Sequence, residues 1–209
     1  MTQVDSIVAT WVDPFVAAYQ MKDALPCMVA IDRAGQDGKP WKQSRCWGPD
    51  GTQAGGWITD PEKRDSDQIN YDIADLIPHH RPLLDFASDC LDHYLVSLPE
   101  ANHFPAFRVE ECYNLLRYKS GQAYHGVHSD YSPTSHVRQR HLSFVMFLNT
   151  IDEGGELEFP QQNLFVKPEE GKAVIFPSGW THAHHTLAPE KQTRYVLQLW
   201  WSFVLQEEA

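Results

Sequence analysis

The chain has 209 residues, 42% apolar and 12% aromatic, a balance that suits one packed domain and excludes a disordered chain. A formal charge of −11 argues against a nucleic-acid partner, because a phosphate backbone calls for a basic footprint. No run approaches about 18 apolar residues and no basic stretch leads into an apolar one at the start, so neither a membrane span nor a signal peptide is expected.

Taken in order, Asp13-Pro14 reads as an N-cap followed by proline, opening a short amphipathic helix with Phe15, Val16 and Tyr19. The run LPCMVAI, Leu25 to Ile31, reads as a strand. Arg33 to Arg64 is punctuated by glycine and proline and holds Trp41, Trp47 and Trp57, which reads as a long loop or a loose hairpin. Its tryptophans suit either a cover over a bound substrate or plain surface packing. Ile77 to Leu98 is the clearest helix. Leu83, Leu84, Ala87, Leu91, Tyr94, Leu95 and Leu98 recur at helical spacing, Asp85, Asp89 and Asp92 take the solvated side, and Pro82 and Pro99 mark the limits.

Beyond Phe104 the texture changes to short apolar runs: 112–119, 141–148, 156–159, 164–166, 173–176, 181–186 and 194–204. Short strands between turn signals argue for a β-sandwich or barrel. The expected organisation is one domain over 1–209, about 1–105 as helical and loop support and about 106–205 as a β-rich core. Cys27, Cys46, Cys90 and Cys112 are widely spaced, as reduced thiols of a cytoplasmic protein would be. His79, His80, His93 and His103 read as surface or capping residues.

Two stretches carry chemistry: YKSGQAYHGVHSD, Tyr118 to Asp130, and WTHAHH, Trp180 to His185. His128-x-Asp130 with a later histidine is a two-imidazole, one-carboxylate set, which leaves three positions of a metal open, as in non-haem Fe(II) oxygenases. On its own His-x-Asp is weak, since chance supplies roughly one such pair in a chain of this composition. If Thr181 to Thr186 is extended, His182 and His184 share a face and His185 takes the other. Arg194, Val196, Gln198 and Trp200 share a face of the last strand. An inward arginine there calls for an anion, met by a ligand carboxylate or by an internal salt bridge.

The surrounding order is more specific. Tyr118-x-x-Gly121-x-x-Tyr124, then His128-x-Asp130, FLNTIDEGGELEFP (147–160), VKPEEGKAVIFPSGWTHAH (166–184), Arg194 and Trp200 together resemble the catalytic domain of the Fe(II)- and 2-oxoglutarate-dependent dioxygenases, in their prolyl 4-hydroxylase-like branch. The likeness covers roughly 111–203. The GGE and G-x-A-x-x-FP blocks are specific to the branch, whereas His-x-Asp is common to the superfamily.

The resemblance implies an α+β fold with a double-stranded β-helix (jelly-roll, cupin-like) core and N-terminal supporting helices. It implies His128, Asp130 and His184 as iron ligands, with His185 the rival to His184. Arg194 and Tyr118 would hold the far carboxylate of 2-oxoglutarate, and Tyr124, Leu148 and Trp200 would line the pocket. The run from Gly121 to His128 is one residue longer than the commoner pattern, which leaves the role of Tyr124 open. The implied cofactors are Fe(II), 2-oxoglutarate and O2, with ascorbate as an accessory. The implied reaction is hydroxylation of a prolyl residue in a protein or peptide, releasing succinate and CO2. Asp130 supports hydroxylation, because a halogenase of the superfamily has Ala or Gly there. The same chemistry on a free amino acid or other small molecule is one alternative, and a non-catalytic cupin-like metal- or 2-oxoglutarate-binding protein is another.

Overall fold

A computed structural model of the chain describes residues 9–48, 56–103, 105–131 and 136–204. The helix expected after Asp13-Pro14 is a β-hairpin. Strands β1 (Ala9–Asp13) and β2 (Val16–Gln20) pair antiparallel around Pro14-Phe15, and the Asp13 carboxylate accepts from the Phe15 N–H at 3.5 Å. In β2, Val16 enters one apolar cluster while Ala17 and Tyr19 enter another, so both faces are used. That alternation is available to a strand and not to a one-sided helix.

The reverse correction applies to Leu25 to Ile31, which is helix α1 (Leu25–Arg33). The Asp23 carboxylate accepts from the Leu25 N–H at 3.0 Å, Pro26 sits in the first turn, and Cys27 and Ala30 are buried one turn apart. A short apolar run reads alike as a buried strand or a buried helix, and here proline in the first turn sides with the helix.

The glycine- and proline-rich segment carries β3 (Lys42–Gln43) and a hairpin of β4 (Cys46–Gly48) and β5 (Gly56–Ile58). Residues 49–55 of that segment lie outside the described residues. Trp47 faces Trp57 across the hairpin, their rings edge to face at 5.7 Å. After β6 (Asp67–Tyr71), a 3-10 turn over Pro78–His80 leads into α2 (Arg81–Ser97). Leu83, Ala87, Cys90 and Tyr94 form the buried stripe of α2 and Asp85, Asp89 and Asp92 its exposed side, as the periodicity predicts. His80 departs from its reading as a surface residue. It is fully buried, its Nδ1 lies 3.0 Å from the Tyr113 hydroxyl, and its ring stands edge-on to Tyr71.

The remaining strands are β7 (Phe107–Arg108), β8 (Tyr113–Tyr118), β9 (Arg140–Phe147), β10 (Leu157–Phe159), β11 (Leu164–Val166), β12 (Lys172–Pro177), β13 (His185–Thr186) and β14 (Arg194–Phe203). An antiparallel sheet runs β1-β2-β12-β9-β14-β8-β6-β3, with β7 also paired to β14, and a smaller sheet runs β11-β10-β13. The region expected as helical support therefore also supplies strands to the main sheet. No local pattern could show this, because β2 pairs with β12 and the contact spans most of the chain.

The large sheet has a different neighbour on each face. On one side Phe144, Met146, Leu197, Leu199 and Trp201 pack with α1 and α2 residues such as Ala30, Leu83 and Ala87. On the other side Val145, Phe147, Val174 and Val196 pack with Leu157, Phe159 and Val166 of the small sheet. This is the α+β, double-stranded β-helix arrangement, and the chemistry-bearing residues lie on the small-sheet side. Among the described residues no helix is long and apolar enough to cross a membrane. The four cysteines are free, and only Cys112 is exposed.

Candidate metal centre and the pocket behind it

The loop between β8 and β9 carries His128 and Asp130, and the short turn before β13 carries His184. Thr181 to Thr186 is not one extended strand. Trp180–His182 is a 3-10 turn, and only His185–Thr186 pairs as strand. That turn sorts the three histidines. His182 is buried beneath the edge of Phe15, with Nε2 3.9 Å from the Asp13 carboxylate. His185 faces Glu158 at 2.9 Å. His184 is joined to His128 by a two-bond backbone bridge: the His128 N–H donates to the His184 carbonyl at 3.0 Å and the His184 N–H donates to the His128 carbonyl at 2.8 Å.

The side chains of His128, Asp130 and His184 converge, their ligand-capable atoms all within 4.8 Å of one another. His128 Nε2 lies 3.9 Å from Asp130 Oδ1, and His184 Nε2 lies 3.9 Å from Asp130 Oδ2. Each imidazole is oriented from behind: Nδ1 of His128 lies 3.0 Å from the Gly126 carbonyl, and Nδ1 of His184 lies 3.0 Å from that of His182. A carbonyl can only accept, so each Nδ1 carries a proton and donates it backwards, which turns each Nε2 to the shared space. Burial, helped by the neighbouring His184, pushes the His128 pKa down and keeps the ring neutral. Burial alone would raise the Asp130 pKa. The two imidazoles in their protonated form, the Arg140 guanidinium and the Ser143 hydroxyl outweigh it and hold the carboxyl below its usual range. Two imidazoles and one carboxylate fit a divalent iron centre.

Behind the triad, a narrow cavity of about 30 Å³ joins His128 and His184 to Tyr118, Thr186 and Arg194. Arg194 is fully buried. Its Nη1 donates to the Gly155 carbonyl and reaches the Leu187 carbonyl at 3.5 Å, and its guanidinium lies 4.1 Å over the Tyr118 ring. Its Nε and Nη2 hydrogens have no acceptor, and among the described residues it forms no ion pair. The internal salt bridge considered for it is therefore not made. A buried cation with two unused donors is a receptor for a carboxylate.

The GGE block explains how the backbone reaches this arginine. Gly154 and Gly155 both take left-handed φ values, +74° and +79°, and a Cβ on Gly154 would stand 2.2 Å from the Ala188 carbonyl oxygen. Only glycine allows that approach, which brings the Gly155 carbonyl onto the guanidinium.

In front of the triad, a cleft of about 460 Å³ opens between the Trp47–Trp57 hairpin and the sheet, with Arg45, Arg64, Asn114, Tyr124 and Trp200 in its walls. The Tyr124 ring is stacked on His128 at 3.6 Å, 12° from parallel, with the Arg64 guanidinium 5.2 Å from the Tyr124 ring centre. Trp200 lies under Arg140, 3.5 Å away, and Arg140 is paired with Glu111 at 2.5 Å. Leu148 lines neither cavity. On β9, Val145 and Phe147 face the site, so Leu148 falls on the opposite parity and packs in the helix-side cluster. Three residues the sequence reading did not assign belong to the site. Gln198 lines both cavities, and Ser143 and Ser178 stand behind Asp130. Gln198 was visible as a face-mate of Arg194, but nothing local marked the serines.

Residues 113–202 match the family model described as the 2OG-Fe(II) oxygenase superfamily. The match takes in a little under half of the chain and is a likeness to that superfamily over this stretch. The domain is similar to two curated proteins of Arabidopsis thaliana. One is a probable prolyl 4-hydroxylase 9, 31% identical over 123 residues that make up 47% of this chain and 43% of that protein. The other is prolyl 4-hydroxylase 13, 32% identical over 127 residues, 48% of this chain and 45% of that protein. The aligned stretch thus spans less than half the length of each relative. Among solved structures, the chain is similar to a viral collagen prolyl hydroxylase of Paramecium bursaria Chlorella virus-1 in its 2-oxoglutarate complex. The TM-score is 0.65 at 18% identity, covering 91% of this chain and 97% of that one. A Pseudomonas putida prolyl-4-hydroxylase gives a TM-score of 0.63 at 18% identity, covering 91% and 93%. A Trichoplax adhaerens prolyl hydroxylase, solved with a hypoxia inducible factor peptide fragment, gives 0.61 at 16% identity, covering 86% and 77%. At these identities the structures establish the shared fold.

Proposed function

We propose that the protein is an Fe(II)- and 2-oxoglutarate-dependent dioxygenase that hydroxylates a prolyl residue of a protein or peptide. The observation that carries this is the buried Arg194, with two unused N–H donors, on the same cavity as the His128–His184 pair beside the ionised Asp130. His128, Asp130 and His184 would hold the iron. Arg194 would bind the far carboxylate of 2-oxoglutarate, with Tyr118 at its side. Iron, when bound, supplies the activation of O2, with 2-oxoglutarate as the reductant. The balance is C–H plus O2 plus 2-oxoglutarate to C–OH plus succinate plus CO2.

The chain's own residues then do three things. The carbonyls of Gly126 and His182 fix both imidazoles, so little reorganisation is left for the reaction. Val145, Phe147, Leu157 and Val196 keep the rear cavity apolar apart from its anchoring groups. The cleft, about fifteen times the volume of the rear cavity, is roomy enough for a peptide segment, with Trp47 and Trp57 as one wall. The prolyl hydroxylase names of its relatives, and the peptide bound by the Trichoplax protein, support a peptidyl substrate over a free amino acid.

The test is a screen of proline-containing peptides in the presence of Fe(II), 2-oxoglutarate and O2, with free proline alongside. The expected result is a gain of one oxygen on a peptide, matched one to one by succinate. Hydroxylation of the free amino acid alone would replace the peptide by a small molecule, and binding of iron and 2-oxoglutarate without any turnover would leave a sensor.

A further inference from the structure

Asp130 is held by more than its neighbours in the triad. Ser143 Oγ donates to Asp130 Oδ2 at 2.6 Å, and Ser178 Oγ lies 2.8 Å from Ser143 Oγ. Both serines are buried, at 0% and 1% exposure. Proton counting fixes the direction. An ionised carboxylate has nothing to donate, so the single hydroxyl proton of Ser143 goes to Asp130, and Ser178 must donate to Ser143. Ser178 also clamps the backbone: its N–H donates to the His141 carbonyl at 3.0 Å and its carbonyl accepts from the Tyr131 N–H at 2.9 Å. The residue after Asp130 and the carboxylate of Asp130 are thus tied to one serine just beyond β12. Arg140 adds a third tether, from Nη1 to the Asp130 carbonyl at 3.3 Å.

We propose that Ser143 and Ser178 are positioning residues that occupy one oxygen of Asp130 and leave the other as its metal ligand. Each oxygen faces one imidazole at 3.9 Å, but Oδ2 gives a lone pair to a short, charge-assisted hydrogen bond, so Oδ1, toward His128, is the oxygen with its lone pairs free. The relay disfavours a carboxylate that chelates through both oxygens, which would use one of the three positions a chelating cosubstrate and O2 need. It sits on the site-side parity of β9, where Ser143 precedes Val145 and Phe147, and a hydroxyl there would otherwise be an unsatisfied group inside an apolar layer. This inference rests on the reading of His128, Asp130 and His184 as a metal site.

Titration of the metal-free protein with Co(II), a redox-stable probe, separates the two claims. If the wild-type protein takes up no Co(II) at the triad, the metal reading itself fails. If it does, Ser143→Ala should weaken Co(II) binding about 10- to 100-fold. The same variant should change the intensity of the Co(II) ligand-field bands as the freed oxygen joins the coordination sphere. Ser143→Thr, which restores the hydroxyl, should recover both affinity and spectrum. Ser178→Ala should give a weaker loss of the same sign. Should Ser143→Ala fail to fold, Ser143→Thr and Ser178→Ala still decide: wild-type behaviour of Ser178→Ala, or loss of the spectrum in Ser143→Thr, overturns the proposal. So does a folded Ser143→Ala with unchanged affinity and bands.

Discussion

The two faces of the central sheet are built from the same strands and do different work. On β9 and β14 the helix-side parity is Leu142, Phe144, Met146, Leu197, Leu199 and Trp201, all apolar and all sealed against α1 and α2. The opposite parity is Ser143, Val145, Phe147, Arg194, Val196, Gln198 and Trp200, where polar groups alternate with apolar ones along the same backbone. One face contributes stability through close packing. The other accepts the cost of a buried guanidinium and buried hydroxyls, which are worth keeping only if something binds there. A residue's parity on these strands therefore predicts which property its substitution changes.

The sharpest contrast comes from the metal set. His184→Ala should abolish iron binding while the chain stays folded, whereas His185→Ala, which removes only a partner of Glu158, should keep iron at wild-type stoichiometry; metal analysis of both purified variants checks this. Next, Phe144→Ala on the helix-side face should cost about 3–5 kcal/mol in denaturant unfolding, with the 2-oxoglutarate requirement of the folded fraction unchanged. Arg194→Ala should show the complementary pattern, a rise of about a hundredfold in the 2-oxoglutarate concentration needed, with iron content nearly intact. Leu148→Ala, placed by parity with Phe144, should cost about 2–5 kcal/mol of stability and leave cosubstrate affinity alone.

The last expected effect is the acid limb of stability, spread over more than two pH units. Burial, with His79 close by, lowers the His80 pKa to about 4. The unfolded chain takes up this proton near pH 6.5 and the folded one only near 4. Below about pH 6.5 the unfolded state therefore binds more protons and stability falls as pH falls, by up to about 1.4 kcal/mol per pH unit. His80→Gln, whatever it costs in packing above pH 6.5, should flatten that limb of the unfolding profile between pH 6.5 and 4.

How much of this was readable in the chain depends on the distance over which each feature is decided. Helix α2 was legible because seven apolar residues repeat on one stripe. The β-rich half was legible from its short runs, and His128 and Asp130 from a local motif. Arg194 and Trp200 followed from alternation within one long strand. The β1–β2 hairpin was misread because Phe15, Val16 and Tyr19 also satisfy helical spacing, and the strand that decides between the two, β12, lies about 155 residues on. Leu148 was misplaced because the family pattern gave its position without the parity that Val145 and Phe147 set. His184 came from the family resemblance, and the extended backbone that also favoured it over His185 is replaced by the 3-10 turn at Trp180–His182. Ser143 and Ser178 carried no signal, since a serine in an apolar run shows its partner only after strands 35 residues apart are brought together.

The most direct measurement is anaerobic addition of Fe(II) and then 2-oxoglutarate to the metal-free protein, followed by visible absorption. The account predicts a metal-to-ligand charge-transfer band that grows to one equivalent of cosubstrate in the wild type, needs far more in Arg194→Ala, and is absent in His184→Ala. A full-strength band in His184→Ala, or unaltered cosubstrate affinity in Arg194→Ala, would contradict it.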